Sequence, residues 1–165
     1  MRRPVPDPIR AGEESVWDYP RPPRVEPVPE RITIRLGGVL IADTVDAVRV
    51  LETSHPPVYY LPSDSFIEGA LVPASGSSFC EFKGEAAYFD VRGGSRVVPG
   101  AAWTYPRPAR GFEALTGRVA VYAGDMDACT VGDEQVIPQP GRFYGGWITS
   151  RIRGPFKGAP GSMGW

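Results

Sequence analysis

Twenty glycines and 19 prolines are scattered along all 165 residues instead of being massed in one tail, and this punctuation limits every regular element to a short run. Long 3.6-residue periods are scarce, which argues against a doubly wound α/β sheet and against a Rossmann-type nucleotide site. What fits between the breaks is short strands joined by turns. Ile32, Ile34 and Leu36 alternate with Arg31, Thr33 and Arg35, and Gly37-Gly38 then separates them from Val39-Leu40-Ile41-Ala42. That is the pattern of a hairpin closed by a primed turn. Val58-Tyr59-Tyr60-Leu61, stopped by Pro62, is a strand, as are residues 79–83, 87–91, 96–98, 102–105, 119–122, 129–131 and 147–152. On the 79–83 run, Cys80 and Phe82 fall on one face while Glu81 and Lys83 fall on the other. Residues 46–52 carry apolar spacing that suits a helix and valines that suit a strand, and a strand with an irregular start is the reading taken. Helix is minimal: a short piece capped by Ser63, and at most one turn at residues 112–115. The fold class expected is mainly β, a single-domain rolled or sandwiched antiparallel sheet.

Residues 1–30 are crowded with proline and charge and show no period. They read as an arm, extended over the domain or partly disordered and anchored by Trp17 and Tyr19, ahead of a β-rich domain at 31–165. The arm holds Trp17-Asp18-Tyr19-Pro20-Arg21-Pro22, which returns as Trp103-Thr104-Tyr105-Pro106-Arg107-Pro108. Each copy is followed by Phe-Lys-Gly, at residues 82–84 and 156–158, and these hold the only two lysines, Lys83 and Lys157. An internal pseudo-repeat and coincidence are both open readings. Cis bonds at Tyr19-Pro20 and Tyr105-Pro106 would make both copies tight corners.

A chain of this length buries about 70% of the surface exposed on unfolding, so neither disulfides nor metals are needed to stabilise it. Nineteen acidic residues against 18 basic ones argue against a nucleic-acid partner or a polybasic membrane patch. No apolar run approaches a membrane span, and the first residues lack the apolar core of a secretory signal, so a cytoplasmic location is expected. In that setting Cys80 and Cys129 read as reduced, buried small hydrophobes.

Most catalytic signatures fail: there is no Gly-x-Gly-x-x-Gly, no P-loop and no Gly-x-Ser-x-Gly, and the only histidine is His55. His55, Cys80 and Cys129 are too few and too dispersed for a structural zinc site, so no metal and no cofactor is expected. Asp125 and Asp127 have the spacing of a divalent-metal pair, but beside Gly124 they read as turn residues. His55 precedes two prolines that fix a rigid corner, where it serves either as a general acid or base near neutral pH or as a partner of a backbone carbonyl. Ser54 either orients it or caps a turn. Glu81 and Lys83 form an ion pair able to orient a polar ligand if their face lines a cleft, and a solvated pair worth little if it faces water. Trp103, Tyr105, Tyr144 and Trp147 either stack on a planar ligand or close a core.

Ser54-His55-Pro56-Pro57-Val58-Tyr59-Tyr60-Leu61-Pro62, Cys80-Glu81-Phe82-Lys83-Gly84, Ala102-Trp103-Thr104-Tyr105-Pro106 and Pro138-Gln139-Pro140-Gly141-Arg142-Phe143-Tyr144-Gly145-Gly146-Trp147 closely resemble the bacterial domain of unknown function 427 family. The resemblance spans nearly everything from Glu14 to Trp165. It implies a small β-rich domain of the tent-like type, related to folds that elsewhere hold zinc through paired cysteines this chain lacks. The family has also carried a nucleotidyltransferase label, whose motif is missing here, so that activity is not expected. The resemblance supplies no catalytic residues. The expected function is a small-molecule-binding β domain, with or without an enzymatic reaction, whose pocket is lined by His55, Tyr60, Glu81, Lys83, Trp103 and Tyr105, His55 being the catalytic candidate. The alternative is a non-catalytic structural or protein-interaction module in which the same residues are corners and core.

Overall fold

The runs between glycines and prolines become strands of at most ten residues and single-turn 3-10 helices in the computed structural model, which describes residues 3–141 and 143–165. Met1 and Arg2 of the arm, and Arg142 of the motif at 138–147, lie outside the described residues. In chain order the strands are β1 (Glu14–Ser15), β2 (Arg24–Val28), β3 (Ile32–Leu36), β4 (Val39–Thr44), β5 (Ala47–Leu51), β6 (Val58–Pro62), β7 (Leu71–Cys80) and β8 (Gly84–Gly93). They continue as β9 (Arg96–Thr104), β10 (Arg118–Val121), β11 (Ala128–Val131), β12 (Glu134–Gln135), β13 (Ile137–Pro138), β14 (Trp147–Ile148) and β15 (Ile152–Arg153). No helix among the described residues is long and apolar enough to cross a membrane.

Seven strands form one antiparallel sheet in the order β2-β5-β6-β10-β9-β8-β7, and four form a second in the order β12-β11-β3-β4. Two short pairs complete the set, β13 with β14 and the parallel β1 with β15. The alternation at 31–36 does build a strand, and its glycine pair takes φ values of 61° and 78° at Gly37 and Gly38. Positive φ at both central residues is what a type I′ hairpin turn requires. A Cβ on Gly37 would fall 2.0 Å from the Gly93 carbonyl oxygen, so the turn also needs glycine where the two sheets meet. The ambiguous segment at 46–52 resolves as β5, paired on both sides by β2 and β6. Hydrogen bonds to two neighbours outweigh its helix-like spacing.

The seven-stranded sheet has two apolar faces, and period two decides which residue sits on which. Tyr59 and Leu61 of β6, Val119 and Val121 of β10, and Val91 of β8 point inward against Ile32, Ile34, Leu36, Ile41 and Cys129 of the smaller sheet. Each of these aliphatic chains contributes about 1.5–3 kcal/mol on full burial. Trp147 of β14 closes this sandwich core: it stacks on Tyr59 at 5.0 Å between ring centroids, and its indole N–H donates to the Val121 carbonyl at 3.3 Å. The intervening residues Val48, Val50, Val58, Tyr60, Ala86, Tyr88, Trp103 and Ala120 gather in a second cluster on the outer face. Register aligns them in rows, with Val48 opposite Tyr60, and Trp103 between Ala120 and Tyr88.

Residues 14–28 pack onto the body. Tyr19 and Trp17 are buried with Val16, Leu51 and Ile152, and the Trp17 indole donates to the Pro155 carbonyl at 3.0 Å. β2 is an edge strand of the large sheet, and Arg49 of β5 donates to Glu26 at 2.7 Å and to Glu14 at 2.8 Å.

Several local expectations change. The 79–83 run is the end of β7 plus a three-residue turn, since Cys80 pairs with Gly84 and Glu81, Phe82 and Lys83 bridge them. The preceding stretch at 71–78, rich in small residues, extends β7 as an exposed edge strand. Ser63 makes no side-chain cap; Ser65 instead donates to the Pro62 carbonyl at 2.6 Å. The two hexapeptide copies differ in local structure, Trp17 lying in a 3-10 turn and Trp103 in β9. The cis peptide bonds fall at Arg21-Pro22 and Gly154-Pro155, not at the Tyr-Pro positions.

Candidate functional site

On the outer face of the large sheet a cavity of about 600 Å³ opens. Its floor is Tyr60 on β6, Trp103 on β9 and Tyr88 on β8, which strand pairing brings into neighbouring rows. One wall is the tip of the β7–β8 hairpin, with Cys80, Glu81 and Lys83. The opposite wall is assembled from distant segments: Glu52, His55 and Pro56 before β6, Gln139, Phe143, Tyr144 and Gly145, and finally Lys157. All six residues expected to line a pocket, His55, Tyr60, Glu81, Lys83, Trp103 and Tyr105, border this one cavity.

Aromatic contacts set its shape. The Trp103 ring packs edge-on to Tyr60 at 6.3 Å and tilted against Tyr122 at 4.6 Å, and its indole N–H donates to the Tyr60 hydroxyl at 3.4 Å. Burial pushes the Tyr60 phenol well up and raises that of Tyr105, so both stay protonated at neutral pH. A Cβ on Gly145 would lie 2.2 Å from the Trp103 ring, which shows how closely the 143–146 segment presses on the floor. Two exposed phenylalanines, Phe79 and Phe143, each 78% exposed, stand at the rim.

His55 is held by a network that fixes its proton. Gln139 accepts a hydrogen bond from the Gly146 N–H at its Oε1 (3.0 Å), and its Nε2 donates to the Lys157 carbonyl (2.8 Å). With the amide so oriented, Nε2 faces His55 Nδ1 at 3.1 Å as a donor, so Nδ1 accepts and the ring proton resides on Nε2. His55 Nε2 lies 3.8 Å from a Glu52 oxygen, beyond hydrogen-bond range. Tyr144 packs edge-on against the imidazole at 4.7 Å. Burial, then the charges of Lys157, Arg21 and Lys83, lower the His55 pKa to about 3. The expectation of an acid or base titrating near neutral pH is therefore corrected: the group is a neutral imidazole with a fixed N–H. Its partner is a side-chain amide, not the backbone carbonyl that was the alternative.

The corner before His55 carries backbone strain, with Ser54 at φ 75°, a region costing a non-glycine residue about 1–2 kcal/mol. It is held by the Ser54 N–H donating to the Val16 carbonyl at 3.0 Å and by the Lys157 N–H donating to the Ser54 carbonyl at 2.9 Å. The Ser54 hydroxyl neither orients His55 nor caps a turn; it is buried and has no hydrogen-bond partner among the described residues. Glu81 and Lys83 do not form the expected ion pair among the described residues. The turn separates them, and the Lys83 ammonium lies instead over the Tyr105 ring, 5.9 Å from its centroid.

Trp147 belongs to the sandwich core and does not reach the cavity. Cys129 is in that core too, while Cys80 is half-buried on the cavity wall, and both thiols are free. His55, Cys80 and Cys129 thus do not converge, and no cluster of metal ligands exists among the described residues. Asp127 accepts from the Gly38 N–H at 2.9 Å across the β3–β4 turn, outside the cavity.

Sequence reasoning left Glu52, Gln139, Lys157, Tyr88 and Tyr122 out of the site. Lys157 was signalled by the second Phe-Lys-Gly and Tyr88 by alternation along β8. Gln139 was visible only as part of a quoted motif, and Glu52 and Tyr122 had no signal. Residues 24–132 match the model of a family described as Domain of unknown function (DUF427). No curated protein matches the chain.

Proposed function

The chain belongs to the DUF427 family, through a match that runs from β2 to β11, and on that premise we propose that it is a small-molecule-binding domain whose ligand is planar and enters the outer-face cavity. The observation that carries this reading is the cavity itself, about 600 Å³ and bordered by the rings of Tyr60, Trp103, Tyr105, Tyr122 and Tyr144. Aromatic side chains left lining a concave space favour a flat partner through stacking and edge contacts, each worth about 0.5–1.5 kcal/mol beyond area burial. The fixed His55 N–H supplies a directional group that orients such a ligand. Nucleotidyl transfer has no place in this reading, because Asp127 is engaged at a turn elsewhere. A cytoplasmic setting fits the two free thiols.

Calorimetric titration with 2-naphthamide, a neutral planar probe of suitable size, tests the proposal. Saturable binding is expected, weakened roughly tenfold or more by Trp103→Ala. Absence of saturable binding up to the solubility limit of the probe would leave the structural or interaction module as the better account.

A further inference from the structure

We propose that the ligand of this cavity is a planar anion, its negatively charged oxygens held between Lys83 and Lys157 with the His55 Nε2–H as a third, uncharged donor. The inference rests on the ligand-binding reading above and assigns the chemical class.

The two lysines are the only ones in the chain, and they reach the cavity from opposite walls, Lys83 from the β7–β8 hairpin tip and Lys157 from the segment after β15. Each is half-buried and laid against a tyrosine, Lys83 over Tyr105 and Lys157 over Tyr144 at 5.5 Å. Neither forms an ion pair with a carboxylate among the described residues, although arginines elsewhere do so repeatedly. The Lys157 ammonium donates to an oxygen of Trp165, the last residue of the sequence, at 3.3 Å, whereas Lys83 has no oxygen partner among the described residues. Lys83 is thus an ammonium group partly removed from water with no counter-charge among the described residues, which is costly, and an incoming anion relieves that cost.

The acidic groups of the cavity do not neutralise this pair. Glu52 is turned to Arg21 at 3.3 Å, and Glu81 is exposed on the hairpin turn. The field at His55 agrees: three cations from separate segments, Lys157, Arg21 and Lys83, oppose its protonation, while the Glu52 carboxylate lies 3.8 Å from its Nε2. A cationic ligand would meet like charge there, whereas an anion would complement it. His55, locked as an N–H donor, offers a hydrogen bond and no lone pair toward such a group. Carboxylate and phosphate share the required chemistry, and lysine, a point charge with rotatable donors, accepts either.

The test compares 2-naphthoate, 2-naphthyl phosphate, 2-naphthamide and 2-naphthylmethylamine on the full chain at low ionic strength. At least one anionic probe is expected to bind about tenfold more tightly than the amide, and the amine most weakly. The anionic advantage should shrink as salt rises from 0.05 to 0.5 M, on the order expected for screening of exposed charge. It should be lost in the Lys83→Met/Lys157→Met variant, which should bind anion and amide with equal affinity, and retained in Lys83→Arg/Lys157→Arg. Equal affinities of anion and amide for the unaltered chain would overturn the inference and leave the cavity reading intact. Failure of all four probes would remove the cavity reading and the inference with it. If the double methionine variant does not fold, the ranking of the four probes on the unaltered chain and its salt dependence decide the matter.

Discussion

Trp147→Ala is expected to lower folding stability by about 5 kcal/mol and Trp103→Ala by about 3 kcal/mol, the two ends of the usual range for a buried tryptophan, although both residues are buried. Trp147 is 1% exposed, stacks on Tyr59 and satisfies its N–H at the Val121 carbonyl. Its removal leaves a large void between two packed sheets with no solvent access. Trp103 borders the cavity, so part of its surface has no protein contact to lose, and truncation enlarges a space that water already reaches. Urea unfolding of the two variants measures the difference. Equal losses would mean that the outer face is packed as tightly as the inner one and that the cavity is not a genuine opening.

Acidification is expected to destabilise the chain through its single histidine well before most carboxylates protonate. Unfolded, His55 takes up its proton near pH 6.5. Folded, it does so only near pH 3. Between those values the unfolded state binds more protons, so this contribution is fully present above pH 6.5 and is lost as pH falls toward 3. The slope is about 1.4 kcal/mol per pH unit, reaching at most about 5 kcal/mol across the window. Burial is the main cause, reinforced by Lys157, Arg21 and Lys83, with the Glu52 carboxylate 3.8 Å from Nε2 as a group of opposite sign. Comparing unfolding free energies of the parent and His55→Gln at pH 7 and pH 5 isolates the effect, because the carboxylate contributions common to both chains cancel. The parent should lose about 2 kcal/mol more than the variant over that interval. Nitrogen-15 spectra of the imidazole should show the Nε2–H tautomer unchanged from pH 8 to pH 5. Titration of the imidazole near pH 6.5, or parallel stability curves, would show that the Gln139 network does not exclude the proton.

The mainly β architecture was legible because glycine and proline spacing left room for little else, and because the β3–β4 hairpin carries both an alternating strand and a Gly-Gly turn. Convergence of His55, Tyr60, Glu81, Lys83, Trp103 and Tyr105 was also legible, since the segments that carried the resemblance turn out to surround one space. Other features depended on long-range partners that no local pattern encodes. The proton on His55 is decided by Gln139, 84 positions away, whose own orientation depends on Gly146 and Lys157. The strand expected at residues 79–83 became a turn because Cys80 pairs with Gly84, and a five-residue window cannot distinguish the end of a strand from its continuation. Val58-Tyr59-Tyr60-Leu61 lacks polar alternation for a specific reason: both faces of β6 are covered, Tyr59 and Leu61 by the smaller sheet and Tyr60 by the rings of the cavity. An uninterrupted apolar run in an otherwise alternating β protein was the available signal that a second apolar face existed.

The claim on which the account depends is that the outer face of the seven-stranded sheet receives a ligand while the inner face serves as core. Four tryptophans at positions 17, 103, 147 and 165 give four indole N–H reporters, distributed between the cavity floor, the sandwich core and the cluster around Trp17. Two-dimensional proton–nitrogen spectra recorded during titration with 2-naphthoate provide the most direct measurement. The account predicts a large, saturable shift of the Trp103 indole resonance with those of Trp147 and Trp17 nearly stationary. Movement of Trp147 or Trp17 with Trp103 fixed, or four unmoved resonances at the highest soluble probe concentration, would contradict it.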